Sequence, residues 1–192
     1  MAKKNAARRK ATTDSQPAFD DSKYGYVLYS MTFDYNELGL ARASELLAPR
    51  MRGALSTASF ISLAVLVLAA LAFGNQGYPL LIALFLVSVG LLYASSNIAR
   101  LRLRYARTTT LDPADYDGAL HVAVGDDAIH VRDAQGAGGD YPLSELKTSN
   151  SSPEGILAGF GAKRYVFVPR SSMSEGRFHE LARMLAERCP KK

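Results

Sequence analysis

No Asp, Glu, Lys or Arg occurs from Gly53 to Ala99, a run of 47 residues in a chain of 192. All charged residues lie in the flanks, 15 before this gap and 26 after it. A single water-soluble domain rarely leaves so long a stretch uncharged, so the gap argues against a purely soluble protein. The mean hydropathy of −0.03 conceals this, because it averages an apolar middle with polar ends. The segment after the gap is long enough for one small domain and too short for a large enzyme.

Two runs fill the gap, residues 54–73 and 79–99. Each holds about 20 residues, which as helix covers about 30 Å of hydrocarbon. The first carries ten Leu, Ile, Val or Phe, together contributing about 3–6 kcal/mol toward insertion. Gly74-Asn-Gln-Gly-Tyr78 between them is short enough only for a tight tip, so the sequence predicts a transmembrane hairpin over 53–99. Two core helices of a soluble bundle are the alternative, and such helices would still need a polar edge. Arg50 and Arg52 precede the first run, Arg100, Arg102, Arg104 and Arg107 follow the second, and the tip has no basic residue. The positive-inside rule then places both termini in the cytoplasm, in a multi-pass protein of the inner membrane, with these arginines at the lipid headgroups. In a hairpin turning near residue 76, Ala58 levels with Ala94 and Ser62 with Gly90, which predicts close packing through these small residues. No ionisable residue lies at membrane depth, which argues against a carrier or pump.

Residues 1–22 are polar and first basic, then acidic, and read as a disordered tail. Its Lys3, Lys4, Arg8, Arg9 and Lys10 suit either simple solvation or contact with anionic headgroups. Nucleic acid is not expected as a partner, since no stacking aromatics interleave these charges. Residues 24–33 are rich in aromatic and β-favouring types and predict a strand. Asp34 with Glu37 has the spacing of a helix start, and Leu38, Ala41, Leu46 and Leu47 form the apolar stripe of a helix that Pro49 ends. A lone strand is unstable, so residues 23–50 are expected to complete a sheet formed by the C-terminal segment.

In that segment, over 108–189, alternation places strands at 120–124 and 129–131. A two-residue Gly125-Asp126 turn pairs Val122 with Ile129 and Leu120 with Val131, and sets His121 opposite His130 on a solvent-facing side. Residues 133–139 form a Gly-rich connection, 149–153 a turn, and 155–160 with 163–168 a second hairpin. Ser172 with Glu175 reads as a capping box for a helix with Phe178, Leu181, Ala182 and Leu185 on one face.

This order, closed by Tyr165-Val-Phe-Val-Pro169-Arg170 shortly before a helix carrying Phe178, resembles the YcxB-like family of bacterial membrane proteins. Tyr141-Pro-Leu-Ser-Glu-Leu-Lys147 is similar to the family's aromatic-led turn, with Tyr where the family has Trp. Pro142 and the Gly-rich loop before it depart from the pattern. The resemblance spans residues 25–188. It implies an α+β membrane protein, a two-helix transmembrane hairpin plus a small antiparallel PH-like β domain closed by a C-terminal helix. It brings no activity and no catalytic residue.

The residues themselves offer little chemistry. Gly155 to Arg164 lacks the Gly-Lys-Ser/Thr of a phosphate loop, and its context is a hairpin. His121 and His130 make an incomplete metal site without a third ligand. The one cysteine, Cys189, has no disulfide partner, which suits a reducing compartment, and no activating His beside it. The basic start is not followed by a short apolar core, so a cleaved signal peptide is not expected. Catalytic residues, cofactor and metal are therefore all read as none. Lys163, Arg164 and Arg170 form a candidate interaction surface. The expectation is a non-catalytic membrane protein whose cytoplasmic domain meets an unknown protein partner or anionic lipid. The alternative is a small oligomeric component of a transporter or channel, and homo-oligomers fit either.

Overall fold

The computed structural model describes residues 19–47, 49, 51–73 and 77–190. Among the described residues, seven antiparallel strands form two sheets. Strands β1 (Val27–Asp34), β2 (Ala119–Gly125), β3 (Ala128–Arg132) and β4 (Gly138–Pro142) lie side by side in that order. The second sheet is β5 (Thr148–Ser152), β6 (Gly155–Gly159) and β7 (Tyr165–Pro169). Between β1 and β2 run four helices: α1 (Glu37–Leu47), α2 (Met51–Phe73), α3 (Tyr78–Ser96) and α4 (Ile98–Ala106). Helix α5 (Glu175–Arg188) comes after β7.

The first sheet joins the two flanks of the apolar run. Met31 and Phe33 of β1 pair with Val122 and Leu120 of β2, across the whole helical insertion. The strand begins three residues later than the sequence predicts, because Asp21–Tyr24 form a short 3-10 turn capped by the Asp20 carboxylate. One core runs between the sheets. Leu120, Val122, Val124, Ile129 and Val131 of the first sheet share one buried cluster with Ile156, Val166, Phe167 and Val168 of the second, with Leu40, Ala43 and Leu46 of α1, and with Phe178, Leu181 and Leu185 of α5. Tyr35 bridges the sheets, its ring 6.5 Å from Phe33 and 6.4 Å from Phe167, while its hydroxyl donates to the Leu111 carbonyl at 2.8 Å. Burial raises that phenol far above its usual pKa.

Several local expectations are corrected. The β2–β3 turn is Asp126-Asp127, so Val122 pairs with Val131 and Val124 with Ile129. Gly125 is unavailable as a turn residue, because it is itself a strand residue paired with Val27. A shift of two residues keeps the apolar side chains on the core face. It also moves His121 opposite Arg132, and His130 opposite Ala123. Residues 148–152 are a strand rather than a turn. Asn36, not Asp34, caps α1, its side-chain oxygen accepting from the amides of Leu38 and Gly39. Leu38 accordingly falls on the outer face, and Leu40 and Ala43 take the core. The Ser172 capping box does not form, since the Ser172 hydroxyl donates to the Pro169 carbonyl and Glu175 binds Arg170 at 2.7 Å. Gly138 is required by its backbone, with φ at +143° and the Val131 carbonyl where a Cβ would stand.

Helices α2 and α3 are long and apolar enough to cross a membrane, about 34 and 28 Å at 1.5 Å per residue. Their polarity is inverted relative to a soluble hairpin. Phe60, Leu71, Ile82 and Leu86 point outward, and the side chains most deeply buried are Ser59 and Ser88. The Ser88 hydroxyl donates to the Leu84 carbonyl, which leaves its oxygen to accept from Ser62 at 2.8 Å. The seam follows Leu55, Ser59, Ser62, Leu66 and Ala69 on α2, and Leu81, Leu84, Ser88, Leu91 and Ser95 on α3. Ser62 thus meets Ser88 rather than Gly90, two residues from the predicted level. Gly90 faces outward, where an added Cβ would meet open space, while Ala58 and Ala94 are half-buried beside the seam. The second apolar run also ends earlier than residue 99: α3 stops at Ser96, and Asn97 separates it from α4. Ile98 is buried, 5% exposed, at the foot of the next helix. The hairpin tip, residues 74–76, lies outside the described residues, as do the tail 1–18 and Arg50.

Candidate functional site: a basic cavity at the root of the apolar hairpin

Helices α1 and α4 pack antiparallel, α1 leading into α2 and α4 leading out of α3. Arg107 binds Glu37 at 2.8 Å where this pair is farthest from the hairpin. At the hairpin end the two helices separate. The strand β5 closes a third side, held there by Asn150, whose side-chain amide donates to the Leu46 carbonyl at 2.9 Å. The ion pair of Arg42 with Glu154, 3.1 Å, fixes the β5–β6 turn against α1. These three elements border an open cavity of about 590 Å³.

Its walls divide by chemistry. Leu46, Pro49, Ile98 and Leu103 are apolar, and Arg100, Arg102, Ser44, Glu45, Ser151 and Ser152 supply polar atoms. A helix turns about 100° per residue, so Arg102 falls on the inward side with Ile98 and Leu103, while Arg100 and Arg104 turn to the exposed side. Arg100 is exposed and forms no ion pair among the described residues, and Arg102 is half-buried. Among the described lining residues the charged groups are Arg100, Arg102 and Glu45. Planar guanidinium forks and serine hydroxyls are donors of the kind that hold phosphate or carboxylate oxygens.

The other arginines singled out from the sequence are scattered. Arg52 lies in the first turn of α2, Arg104 is exposed and does not line the cavity, and Arg107 is engaged with Glu37. Lys163 and Arg164 sit in the β6–β7 turn and Arg170 beyond the far end of β7, about 17 Å away along a five-residue strand. They therefore do not form one surface. Arg164 binds Glu145 at 2.6 Å and stacks over Tyr141, and Arg170 binds Glu175 and covers Phe178. Ser151 and Ser152 escaped sequence reasoning, because Thr-Ser-Asn-Ser-Ser has no apolar alternation by which to recognise a strand.

A second cluster lies on the outer face of the first sheet. His121 is buried rather than solvent-facing, at 4% exposure. Phe19 stacks on its ring at 4.5 Å, and Asp21 meets Nε2 at 2.6 Å. A carboxylate oxygen only accepts, so Nε2 carries a hydrogen and donates it. Thr32 contacts Nδ1 at 2.8 Å. Tyr24 stacks in the same way on His130, 4.2 Å away, whose Nδ1 lies 2.8 Å from Asp140. Residues 19–22, expected within the tail, instead belong to a segment fastened to the sheet by both histidines. Removing Asp21 leaves a buried imidazole N–H without its acceptor, at a cost of about 1–3 kcal/mol. Asp21→Ala is expected to expose residues 19–26 to limited proteolysis while β1–β7 stay protected; unchanged cleavage there would refute the fastening.

No protein-family model, curated protein or solved structure matches this chain. Among the described residues, no three His, Cys, Asp or Glu side chains gather in a metal-binding group.

Proposed function

We propose that this chain is a non-catalytic integral protein of the bacterial inner membrane, of the YcxB-like kind. Its helices α2 and α3 span the bilayer, both termini are cytoplasmic, and its β domain is a PH-like module that meets a protein partner or the membrane surface. The observation that carries this reading is the inverted polarity of the hairpin, with leucine, isoleucine and phenylalanine outside and hydrogen-bonded serines within. In water such a surface drives aggregation, and in lipid it is the low-energy arrangement. Pairing of β1 with β2 supports it, because both ends of the hairpin then return to one side. A four-stranded and a three-stranded antiparallel sheet followed by a single helix supports the PH-like assignment.

Thiol labelling tests the topology. In a Cys189→Ser background, Gln76→Cys is expected to react with an impermeant maleimide in intact cells, and Lys192→Cys only after permeabilisation. Reaction of the C-terminal position in intact cells would overturn the orientation. A photocrosslinker at Tyr26, 75% exposed, is expected to give a discrete protein or lipid adduct. Absence of either adduct would overturn the interaction role.

A further inference from the structure

We infer that the cavity between α1, α4 and β5 is a binding site for the phosphodiester headgroup of an anionic glycerophospholipid. This rests on the membrane-anchored reading above. Three observations converge. The cavity opens where the two apolar helices end, at Pro49 on one side and Ile98 on the other, which is the level of phosphates in a bilayer spanned by α2 and α3. Its polar wall carries the exposed Arg100, with the half-buried Arg102 two residues on, and Ser151 and Ser152 of β5 line the opposite side. Its apolar wall, Leu46, Pro49 and Ile98, faces the part of a lipid where glycerol gives way to acyl chain. A volume of about 590 Å³ holds a phosphoglycerol group with its first acyl carbons, within the usual 300–1,000 Å³ of small-molecule sites. Glu45 lies beside the arginines and sets a preference: it offers an acceptor to a headgroup hydroxyl and repels a second negative charge.

Such a site differs from general attraction to a charged surface, where each basic residue near the membrane contributes alike. Arg104 on the same helix provides the contrast, as it is exposed and lines no part of the cavity. The full chain, in nanodiscs of phosphatidylcholine with or without phosphatidylglycerol, is released gently and its retained lipid read by native mass spectrometry. Phosphatidylglycerol is expected to be retained at least about tenfold over phosphatidylcholine, one molecule per chain, each tenfold being about 1.4 kcal/mol of preference. Arg100→Gln with Arg102→Gln is expected to abolish that preference, and Arg104→Gln to change it less than about twofold. Because Arg102 is half-buried, Ser151→Asp serves as a second variant. It places a carboxylate on an exposed wall of the cavity and is expected to give the same loss with an unchanged unfolding temperature. Equal losses in the Arg104 variant would overturn the site in favour of diffuse charge. Full displacement of the lipid by inorganic phosphate would reassign the cavity to a free anion. A chain that enters nanodiscs in the labelled topology but shows no lipid preference sinks only this inference. A chain that carbonate extracts from membranes sinks the membrane reading itself.

Discussion

Phe167→Ala is expected to destabilise the β domain by about 3–5 kcal/mol, the largest effect anticipated for a single core truncation here. Phe167 lies at the centre of β7, 3% exposed, with its ring against the backbone of Gly155 on β6. That glycine carries no Cβ, and one built there would stand 2.5 Å from the Phe167 ring. The ring therefore occupies space that no neighbouring side chain is placed to refill, and alanine leaves a cavity rather than a collapsed site. Phe167 also faces Tyr35 at 6.4 Å, so its loss weakens the aromatic bridge by which the second sheet holds the first. Urea-dependent proteolysis of the full chain in detergent micelles is expected to show a midpoint lower by at least about 1 M. Cleavage should appear in β2 through β7 while α2 and α3 remain intact, since the hairpin is held by its own seam. A shift below about 0.3 M would contradict the burial of this ring against β6 and Tyr35.

Asp133→Ala is expected to cost about 2–4 kcal/mol, an unusual sum for a charged residue in a turn. The carboxylate is 3% exposed and accepts three backbone amides, from Asp117 at 2.9 Å, Gln135 at 2.9 Å and Ala137 at 2.7 Å. It thereby ties the β3–β4 connection to the segment that leads into β2. Burial opposes the charge, but the backbone donors outweigh it and hold this carboxyl below the usual pKa. A group whose pKa is lower in the folded chain stabilises fully above about pH 4, its unfolded value, and loses that contribution as the pH falls through the folded one. Urea midpoints are expected to fall on acidification below about pH 4, and to fall less steeply in Asp133→Asn, which keeps an acceptor but cannot be protonated there. Asp140, lowered by the His130 hydrogen bond and by Arg132, adds a similar acid dependence that both proteins share. An equal slope in the two would remove Asp133 as its source.

These two residues also mark what the chain discloses in one dimension. Phe167 was legible, because Tyr165-Val-Phe-Val-Pro169 alternates and ends at a proline, and strand with closing helix followed from that. The two long apolar helices were legible for a similar reason, since 47 uncharged residues admit few folds. Asp133 read only as part of a Gly-rich connection, for the partners that bury it are 16 residues upstream and 4 downstream, with no periodicity to announce them. His121 looked solvent-facing because alternation assigns faces of a strand but not what lies over them; here Phe19 and Asp21 arrive from 100 residues away. The cavity was half legible. Arg100 and Arg102 stand out by charge, whereas Ser151 and Ser152 reach it only through the docking of β5 on α1, a tertiary event. Local turn propensity favours Gly125 in the β2–β3 turn, whereas its pairing with Val27, a long-range demand, moves the turn to Asp126-Asp127.

The placement of the hairpin inside the first sheet imposes an order of events on synthesis. Thr32 and His121 touch across 89 residues, so β1 has no partner until the ribosome has produced both apolar helices and the strand after them. In the bilayer-spanning arrangement proposed above, a chain with only one helix across would leave β1 and β2 in different compartments, with an unpaired edge and an open core. Insertion of both helices would then be a precondition for the sheet to close.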